Sequence, residues 1–307
     1  MKKIDLQNSS FIKQYEVFDR YVHLTGLKSK TNMYQKQVNE FLFFLEQRSI
    51  KQIKNITSLD LIAYYEYLQN RPNLKHGGTL SSSTIANNMI TINSFFELMV
   101  ETKVLPGMVV MPRKIVRNKK QRDILTQEEI NQLFKVCQSK KDKAILCLVY
   151  GCGLRRTEID LLNVYDVIFQ RNMLIVRKGK NDKRREIPLS LNIQNILKDY
   201  LVNERHLYIN QTTQVQDAFL LNNKGTKLRG EDVNRRLKKL IALTKNEALI
   251  AKNISLHCLR HTIAVHLLEN DIKIEFVRDF LGHQEINTTQ IYAKRRREKE
   301  KFLNLIS

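Results

Sequence analysis

The sequence predicts a mainly α-helical protein of two domains, with a small antiparallel β-sheet confined to the second domain. Three observations lead to this prediction. Apolar residues recur at helical spacing through the first hundred residues, where they mark four amphipathic segments. A stretch containing prolines, a glycine and many basic residues then interrupts this spacing. Beyond it the apolar spacing changes to every second residue for a short interval before helical spacing returns.

The first domain is predicted to span residues 1–105 as a helical bundle. Ser58 is expected to cap its third segment, and the sequence SSST opens the fourth. The apolar residues of each segment share one face, and these faces are expected to form the core of the bundle. In chain order the faces are Phe11, Tyr15, Phe18 and Val22; Tyr34, Val38, Phe41 and Leu45; Ile62, Tyr65 and Leu68; and Ile85, Met89, Ile92, Phe96 and Met99.

Residues 106–122 are predicted to form an exposed linker between the domains. Two prolines and a glycine break the helical spacing around its start, and a dense run of basic residues follows. The linker is either a solvated tether or a segment that lies along a polyanionic partner. The candidate binding residues of the linker are Arg113, Lys114, Arg117, Lys119 and Lys120.

The charge of the whole chain favours a polyanionic partner. The chain has 52 Lys and Arg residues against 31 Asp and Glu residues, which leaves a net charge of +21. A polyanion would offset this excess by releasing its condensed counterions, so nucleic acid is the leading candidate partner. The four cysteines have neither zinc-finger nor disulfide-framework spacing. Because no secretory signal and no apolar run of membrane-spanning length is visible, we expect a cytoplasmic protein with no membrane partner.

The second domain is predicted to span residues 123–307. Thr126 and Glu129 have the spacing of a capping box at the start of its first helix. The sequences DVIF, NMLIVRK and RREIPLS are expected to form short strands, with GKND as the turn between the last two. Helices are expected at 141–150, 190–207, 230–244, 256–270 and 272–281, with a further short helix beginning at Asn287.

The sequence LHCLRH places a histidine and an arginine one helical turn apart. His257 and Arg260 would project from the same face and could donate hydrogen bonds to one phosphate group, the guanidinium in bidentate fashion. A metal site formed by His257 and His261 is the alternative. It lacks the glutamate of the H-E-x-x-H motif, and the permanent charge of Arg260 would repel a cation. This metal site is therefore not favoured. The sequence also shows no Walker loop and no acidic metal cluster, so we expect neither a metal nor an organic cofactor.

The pattern LHCLRHTIAVHLL…VRDFLGH…TTQIYA resembles the tyrosine recombinase/integrase family of phage-integrase and Xer-type enzymes. In that family an H-x-x-R pair is followed by L-G-H and then, nine residues later, by the nucleophilic tyrosine. The matching residues here are His257, Arg260, His283 and Tyr292. A phenol titrates at pH ~10, so Tyr292 would need nearby positive charge to act as a nucleophile.

The resemblance extends to the start of the catalytic domain. The family's G-L-R-x-x-E segment matches GCGLRRTE, which assigns its arginine to Arg155 and its carboxylate to Glu158. Arg156 is then expected to be a surface neighbour. The family's lysine lies on a β-hairpin; counting back from Pro188 selects Lys180, whereas counting forward from Arg155 favours Lys178. Lys180 is preferred because it lies at the turn and follows a glycine.

By resemblance, the chain is a site-specific recombinase that cleaves and rejoins DNA through a 3′-phosphotyrosyl intermediate. Arg155 and Arg260 would hold the scissile phosphate, which His257 and His283 would also hydrogen-bond. Lys180 would protonate the leaving 5′ oxygen, Tyr292 would attack, and Glu158 would orient Arg155. Such enzymes act as tetramers on paired specific sites in double-stranded DNA. The tetramer consists of copies of one protein or includes a related recombinase.

Three other functions compete with this interpretation. A type IB topoisomerase uses similar chemistry as a monomer, and a DNA-binding protein could keep the fold without the chemistry. A zinc-dependent nuclease would use His257 and His261 and would lose its activity to chelators. Within the recombinase family, integration or excision, inversion, and the resolution of chromosome dimers are all open.

Overall fold

The computed structural model describes residues 5–26, 32–74, 77–109, 123–177, 184–209 and 217–282. The chain divides into two compact units, Met1–Lys120 and Gln121–Ser307, each with its own hydrophobic core. The described residues are mostly helical and include a three-stranded antiparallel sheet in the second unit, so the predicted fold class is confirmed. None of the helices in these ranges combines the length and apolar character that spanning a membrane requires.

In its described part, the first unit contains the helices α1 (Ser9–Leu24), α2 (Met33–Gln47), α3 (Ser58–Asn70) and α4 (Ser82–Glu101). The side chain of Asn8 accepts hydrogen bonds from two N–H groups of the first turn of α1. Such caps satisfy donors that have no partner within the helix. The predicted cap of α3 is wrong by one residue. Thr57 precedes the helix and donates its N–H to the Asp60 carboxylate at 2.9 Å, so Ser58 is already helical.

The core of the first unit is formed largely by the predicted apolar faces, but the predicted face of α3 is wrong at Ile62. Leu61, Tyr64 and Leu68 are fully buried, whereas Ile62 is 43% exposed. The helix is rotated by about one residue from the predicted orientation because Tyr64 packs on Phe41, with ring centroids 4.8 Å apart. Edge-to-face aromatic pairs of this kind add ~1 kcal/mol beyond the area they bury, which favours this orientation.

The described part of the second unit contains, in chain order, α5 (Gln127–Lys135), α6 (Lys140–Leu146), α7 (Arg156–Leu161), β1 (Val167–Ile168), β2 (Met173–Val176), β3 (Arg185–Pro188), α8 (Leu191–Asn203), α9 (Gly230–Leu243), α10 (Glu247–Ala251), α11 (Leu256–Glu269) and α12 (Ile274–Leu281). The strands pair in the order β1–β2–β3, and Leu174 lies opposite Ile187. Both side chains are fully buried, so one face of the sheet packs on the core. The predicted capping box is confirmed: Thr126 N–H donates to Glu129 at 2.8 Å, and the Thr126 hydroxyl accepts from Glu129 N–H.

Two helices of the second unit differ from their predicted bounds by more than two residues, and one helix was not predicted. The helix predicted at 141–150 ends at Leu146 and continues as a π-helical turn over Cys147–Gly151. The helix predicted at 190–207 ends at Asn203 and is followed by a separate 3₁₀ turn. The short helix α10 has no counterpart in the prediction. Such π turns are frequent at functional sites, and this one ends at Gly151, four residues before Arg155.

Candidate active site

Arg155 and Glu158 lie at the start of α7, where they contact each other. The backbone N–H of Arg155 donates to Glu158 Oε2 at 2.8 Å, and its Nη1 donates to Oε1 at 2.7 Å. Glu158 therefore caps the helix and holds the guanidinium at the same time. Only 4% of Glu158 is exposed, whereas Arg156, the next residue after Arg155, has a half-exposed side chain.

The turn that leads into α7 brings Gly153 close to α11 and α12. Gly153 adopts a positive φ of +58°, a backbone conformation that favours glycine. A Cβ atom there would lie 2.9 Å from a methyl carbon of Leu281 and 3.3 Å from the ring of Phe280. The absence of a side chain lets the backbone approach α12 and directs the Gly153 carbonyl to Arg260, which donates to it.

The two candidate residues of α11 lie in its first two turns. His257 is exposed in the first turn, and Arg260, three residues later, has only 5% of its surface exposed. The guanidinium of Arg260 donates to the carbonyls of Gly153 and Leu281. Its Nη1 also lies 4.0 Å from Glu158 Oε2. Arg155 and Arg260, far apart in the sequence, are thus brought together around one carboxylate.

The C-terminal end of α12 accepts hydrogen bonds from three arginines. Its penultimate carbonyl accepts from Arg185 Nε at 3.0 Å, and its last carbonyl accepts from Arg260. The carbonyl of Gly282, just beyond the helix, accepts from Arg155 Nη2 at 2.8 Å. The C-terminal end of a helix carries partial negative charge, so it stabilises guanidinium groups placed there.

Arg185 belongs to this cluster, although sequence reasoning missed it. It lies on β3, and its Nη1 and Nη2 donate to the two Glu158 oxygens at 2.8 Å each. Its side chain is 9% exposed. A signal was available in the alternation of the strand, because Arg185 lies two residues before the buried Ile187 and so shares its inward face.

The cluster carries more positive than negative charge. Burial acts to raise the pKa of Glu158, but the hydrogen bonds and charges of Arg185, and then those of Arg155 and Arg260, lower it to about 2. Burial lowers the pKa of Arg260 to about 9, with the charge of Arg155 adding to the effect, so this guanidinium remains charged at neutral pH. Three guanidinium groups around one carboxylate leave two positive charges without a counterion among the described residues.

The guanidinium groups also retain donors for a ligand. Toward the described residues, Arg155 and Arg260 each use two of the roughly five N–H donors that a guanidinium carries. A partly buried site with excess positive charge and donors left over is suited to an anion that accepts several hydrogen bonds, such as a phosphate group. This arrangement can stabilise negative charge that develops on phosphate oxygens.

Several predicted site residues lie outside the described residues. They are Lys180 and its alternative Lys178, His283, Tyr292, and the linker residues Arg113, Lys114, Arg117, Lys119 and Lys120. The other two histidines of α11 differ in their surroundings. His266 is buried and bonded to the Tyr150 hydroxyl at 2.8 Å, whereas His261 is half-buried. Among the described residues, no group of three or more potential ligands is placed to hold a metal ion.

Comparison with known families identifies the family of the chain. The sequence model of the Phage integrase family matches residues 123–299, and that of the phage integrase N-terminal SAM-like domain matches residues 18–103. The first match covers more than half of the chain. The chain belongs to the phage integrase family. It is a site-specific tyrosine recombinase, and the topoisomerase-like and inactive alternatives are not favoured.

Individual relatives of this recombinase support the assignment over nearly the whole chain. Tyrosine recombinase XerC of Natranaerobius thermophilus is 30% identical over 91% of this chain and 93% of its own length. Tyrosine recombinase XerD of Oceanobacillus iheyensis is 29% identical over 87% of this chain and 88% of its own length. The Tn1549 transposon integrase, solved in complex with a circular intermediate DNA, is 17% identical. It covers 94% of this chain and 99% of its own with a TM-score of 0.70, which shows a shared fold.

Proposed function

We propose that this recombinase cuts and rejoins DNA strands at specific sites, with Tyr292 as its nucleophile. The convergence of Arg155 and Arg260 on one buried, positively charged cluster is the observation that supports the proposal most. A phosphodiester gains negative charge on its oxygens as a nucleophile adds. Fixed donors aimed at those oxygens lower the barrier, and one such donor typically contributes ~3 kcal/mol.

The reaction assigns one task to each candidate residue. Arg155 and Arg260 bind the non-bridging oxygens of the scissile phosphate, which His257 and His283 also hydrogen-bond. The Tyr292 oxygen attacks phosphorus, and the bond to the 5′ oxygen breaks as Lys180 supplies a proton to that leaving group. His257 helps to take the phenol proton.

The products keep the energy of the broken ester. One end of the cut strand carries the 3′-phosphotyrosine, and the other end is a free 5′ hydroxyl. A 5′ hydroxyl from a second DNA strand then attacks the phosphotyrosine and releases the tyrosine, so rejoining needs no ATP. Glu158 orients Arg155 through the two hydrogen bonds between them. No metal takes part in this scheme, which distinguishes it from a zinc-dependent nuclease.

The Tyr292→Phe variant tests the nucleophile. We expect it to bind its DNA site normally but to form no covalent adduct with a nicked suicide substrate, because the attacking oxygen is gone. The wild type should form the adduct even in excess EDTA. Tyr165→Phe is a matched control, since it removes the hydroxyl of a tyrosine of the same unit that is 71% exposed, and it should leave adduct formation unchanged. An adduct formed by Tyr292→Phe would refute the nucleophile assignment.

The proposed domain roles divide DNA binding between the units. Residues 1–105 bind DNA beside the cleavage site, residues 123–307 carry out the chemistry, and residues 106–122 lie along phosphates with Arg113, Lys114, Arg117, Lys119 and Lys120. The match of residues 18–103 to the SAM-like domain of integrases and the net charge of +21 support this division. We also propose a cytoplasmic location, where such an enzyme would meet its DNA.

Salt dependence tests the proposed binding of the linker to phosphates. A Lys119→Ala/Lys120→Ala variant should bind all DNA sequences more weakly. The slope of log K against log salt should become shallower by roughly 0.9 for each phosphate that the variant no longer neutralises. Tyr292→Phe keeps every basic residue and serves as the control with an unchanged slope. An unchanged slope in the lysine variant would instead favour a solvated tether.

We further propose that four protomers assemble on two paired DNA sites, as copies of this chain or together with a related recombinase. Strand exchange requires two duplexes to be cut and rejoined in one complex, which supports such an assembly. Mass measurement of the complex on two-site DNA tests it directly. Two separate monomeric complexes that still exchange strands would contradict the proposal.

A further inference from the structure

Arg185 has no task in the reaction described above, yet it is the arginine most fully engaged by the buried cluster. Its guanidinium takes both oxygens of Glu158, at 2.8 Å each, and its Nε donates to the Phe280 carbonyl at 3.0 Å. By contrast, Arg155 reaches a single Glu158 oxygen with its guanidinium, and Arg260 stays 4.0 Å from the carboxylate. Arg185 is therefore the principal counterion of Glu158.

Removing Arg185 would change the charge that a bound phosphate experiences. With all three arginines and Glu158 in place, the cluster carries a net charge of +2. A phosphodiester brings one negative charge, and further negative charge develops on its oxygens as the nucleophile adds. Without Arg185, the negative charge of Glu158 would be balanced by Arg155 and Arg260, and the cluster would carry a net charge of only +1. In a site shielded from water, a difference of one charge acts strongly on the barrier.

Arg185 also fixes the end of α12. Gly282 has a φ of +61°, and a Cβ atom there would lie 2.9 Å from Arg185 Cδ. The guanidinium thus passes across the face of this glycine and links β3 to the residues that immediately precede His283. Its bidentate pairing with Glu158 and its bond to the helix end hold the carboxylate in one orientation.

We propose that Arg185 is a positioning residue for strand cleavage: it neutralises Glu158, so that the charges of Arg155 and Arg260 remain available to the scissile phosphate. The inference rests on the proposed function, because it assumes that these two arginines bind that phosphate. Arg185 itself uses three of its roughly five N–H donors on Glu158 and α12, and it acts through these partners.

The competing explanation is that Arg185 only stabilises the fold. Variants that restore the net charge of the cluster distinguish this explanation from neutralisation of Glu158. In Arg185→Gln the net charge falls to +1, and in Glu158→Gln/Arg185→Gln it returns to +2. We expect Arg185→Gln to slow single-turnover adduct formation on saturating nicked DNA by roughly 10- to 100-fold, with DNA affinity within about 3-fold of wild type. The double variant should recover about tenfold of that loss. Arg185→Lys, which keeps the charge without the bidentate geometry, should be faster than Arg185→Gln.

The matched control is Arg236→Gln. Arg236 also donates two hydrogen bonds to a fully buried carboxylate of the same unit, Asp142, but it takes no part in the cluster. It should form adducts at close to the wild-type rate once normalised to the fraction of protein that binds DNA. Equal slowing of Arg236→Gln and Arg185→Gln would overturn the inference and leave only a structural role.

Two further outcomes would also overturn it. One is an Arg185→Gln rate within about twofold of wild type, because neutralisation of Glu158 would then not matter to the chemistry. The other is a double variant that is as slow as Arg185→Gln, because restoring the charge would then not restore the rate. Failure of the wild type to form any adduct would instead refute the proposed function itself, so the two failures are distinguishable.

Discussion

Glu40 in the first unit and Glu158 in the second are both buried, with 2% and 4% of their surface exposed. Among the described residues, Glu40 pairs with one arginine: Arg71 Nη2 donates to its Oε2 at 3.1 Å, and the Tyr67 hydroxyl lies 3.3 Å from its Oε1. Glu158 has three arginines around it. The first group is electrically neutral, whereas the second carries two positive charges more than its carboxylate can balance.

The pKa values of the two carboxyl groups follow this difference. Burial raises the pKa of Glu40, and the opposing effects of Arg71 and Tyr67 are too small to reverse the rise. For Glu158 the arginines outweigh burial and lower the pKa to about 2. A neutral buried ion pair needs no further counterion, but an excess of buried positive charge costs free energy unless an anion binds. This difference supports the proposal that the Glu158 group binds a phosphate, whereas the Glu40 group stabilises the fold.

Replacing one arginine of each group by lysine is the strongest test of this functional difference between the two groups. Arg260→Lys keeps a charge but loses the planar fork of donors, so adduct formation should slow by about 10²- to 10³-fold, equivalent to roughly 3–4 kcal/mol. Arg71→Lys should leave the adduct rate per DNA-bound molecule near the wild-type value. Both rates are measured in single turnover on a nicked substrate. Similar slowing in both variants would show that the two clusters do not differ in function.

Removing the arginine of the neutral group should act on stability instead. Arg71→Met leaves the Glu40 carboxylate buried without its counterion, which should destabilise the first unit by about 3 kcal/mol at neutral pH. Glu40→Leu/Arg71→Met removes both charges and should recover most of this loss, since apolar replacements of buried ion pairs are often tolerated. Regional hydrogen exchange of peptides from α3 measures the effect. A double variant no more stable than Arg71→Met would contradict the assignment of a closed ion pair.

The apolar faces of α1, α2 and α4 could be predicted because burial imposes a simple period on the sequence. The orientation of α3 could not, because its sequence SLDLIAYYEYLQN offers two overlapping apolar faces. Packing of Tyr64 on Phe41, which belongs to a different helix, selects one of them. Periodicity within a single helix contains no information about packing between helices.

The candidate site shows the same limit in another form. Arg155, Glu158 and Arg260 were found from short motifs with fixed spacing. The carbonyls of Gly153 and Leu281 that hold Arg260 are backbone groups, which no residue type reveals. Arg185 stands in the basic sequence KRRE, where charge alone does not show which arginine turns inward. The distinction depends on the strand alternation that places Arg185 on the face of Ile187.

Acidification should change the contributions of the two carboxyl groups to folding stability in opposite directions. We expect this effect to be smaller than those of the arginine substitutions above. The pKa of Glu158 falls from an ordinary value of 4.5 to about 2 on folding, so its contribution is complete above pH 4.5 and is lost as the pH falls toward 2. From pH 7 to pH 3 this loss is about 2 kcal/mol. The pKa of Glu40 is raised, so the folded state binds its proton more tightly and acidification through that range favours the fold.

Hydrogen exchange of peptides from α11 and α3, followed between pH 7 and pH 3, distinguishes the two contributions. Opening of α11 should become easier in acid, and Glu158→Gln should flatten this dependence because the titrating group is gone. Glu40→Gln should leave the α11 profile unchanged, since Glu40 contributes to the other unit. An α11 profile that Glu158→Gln does not alter would show that the arginines fail to hold Glu158 ionised, and the contrast between the two carboxylates would then disappear.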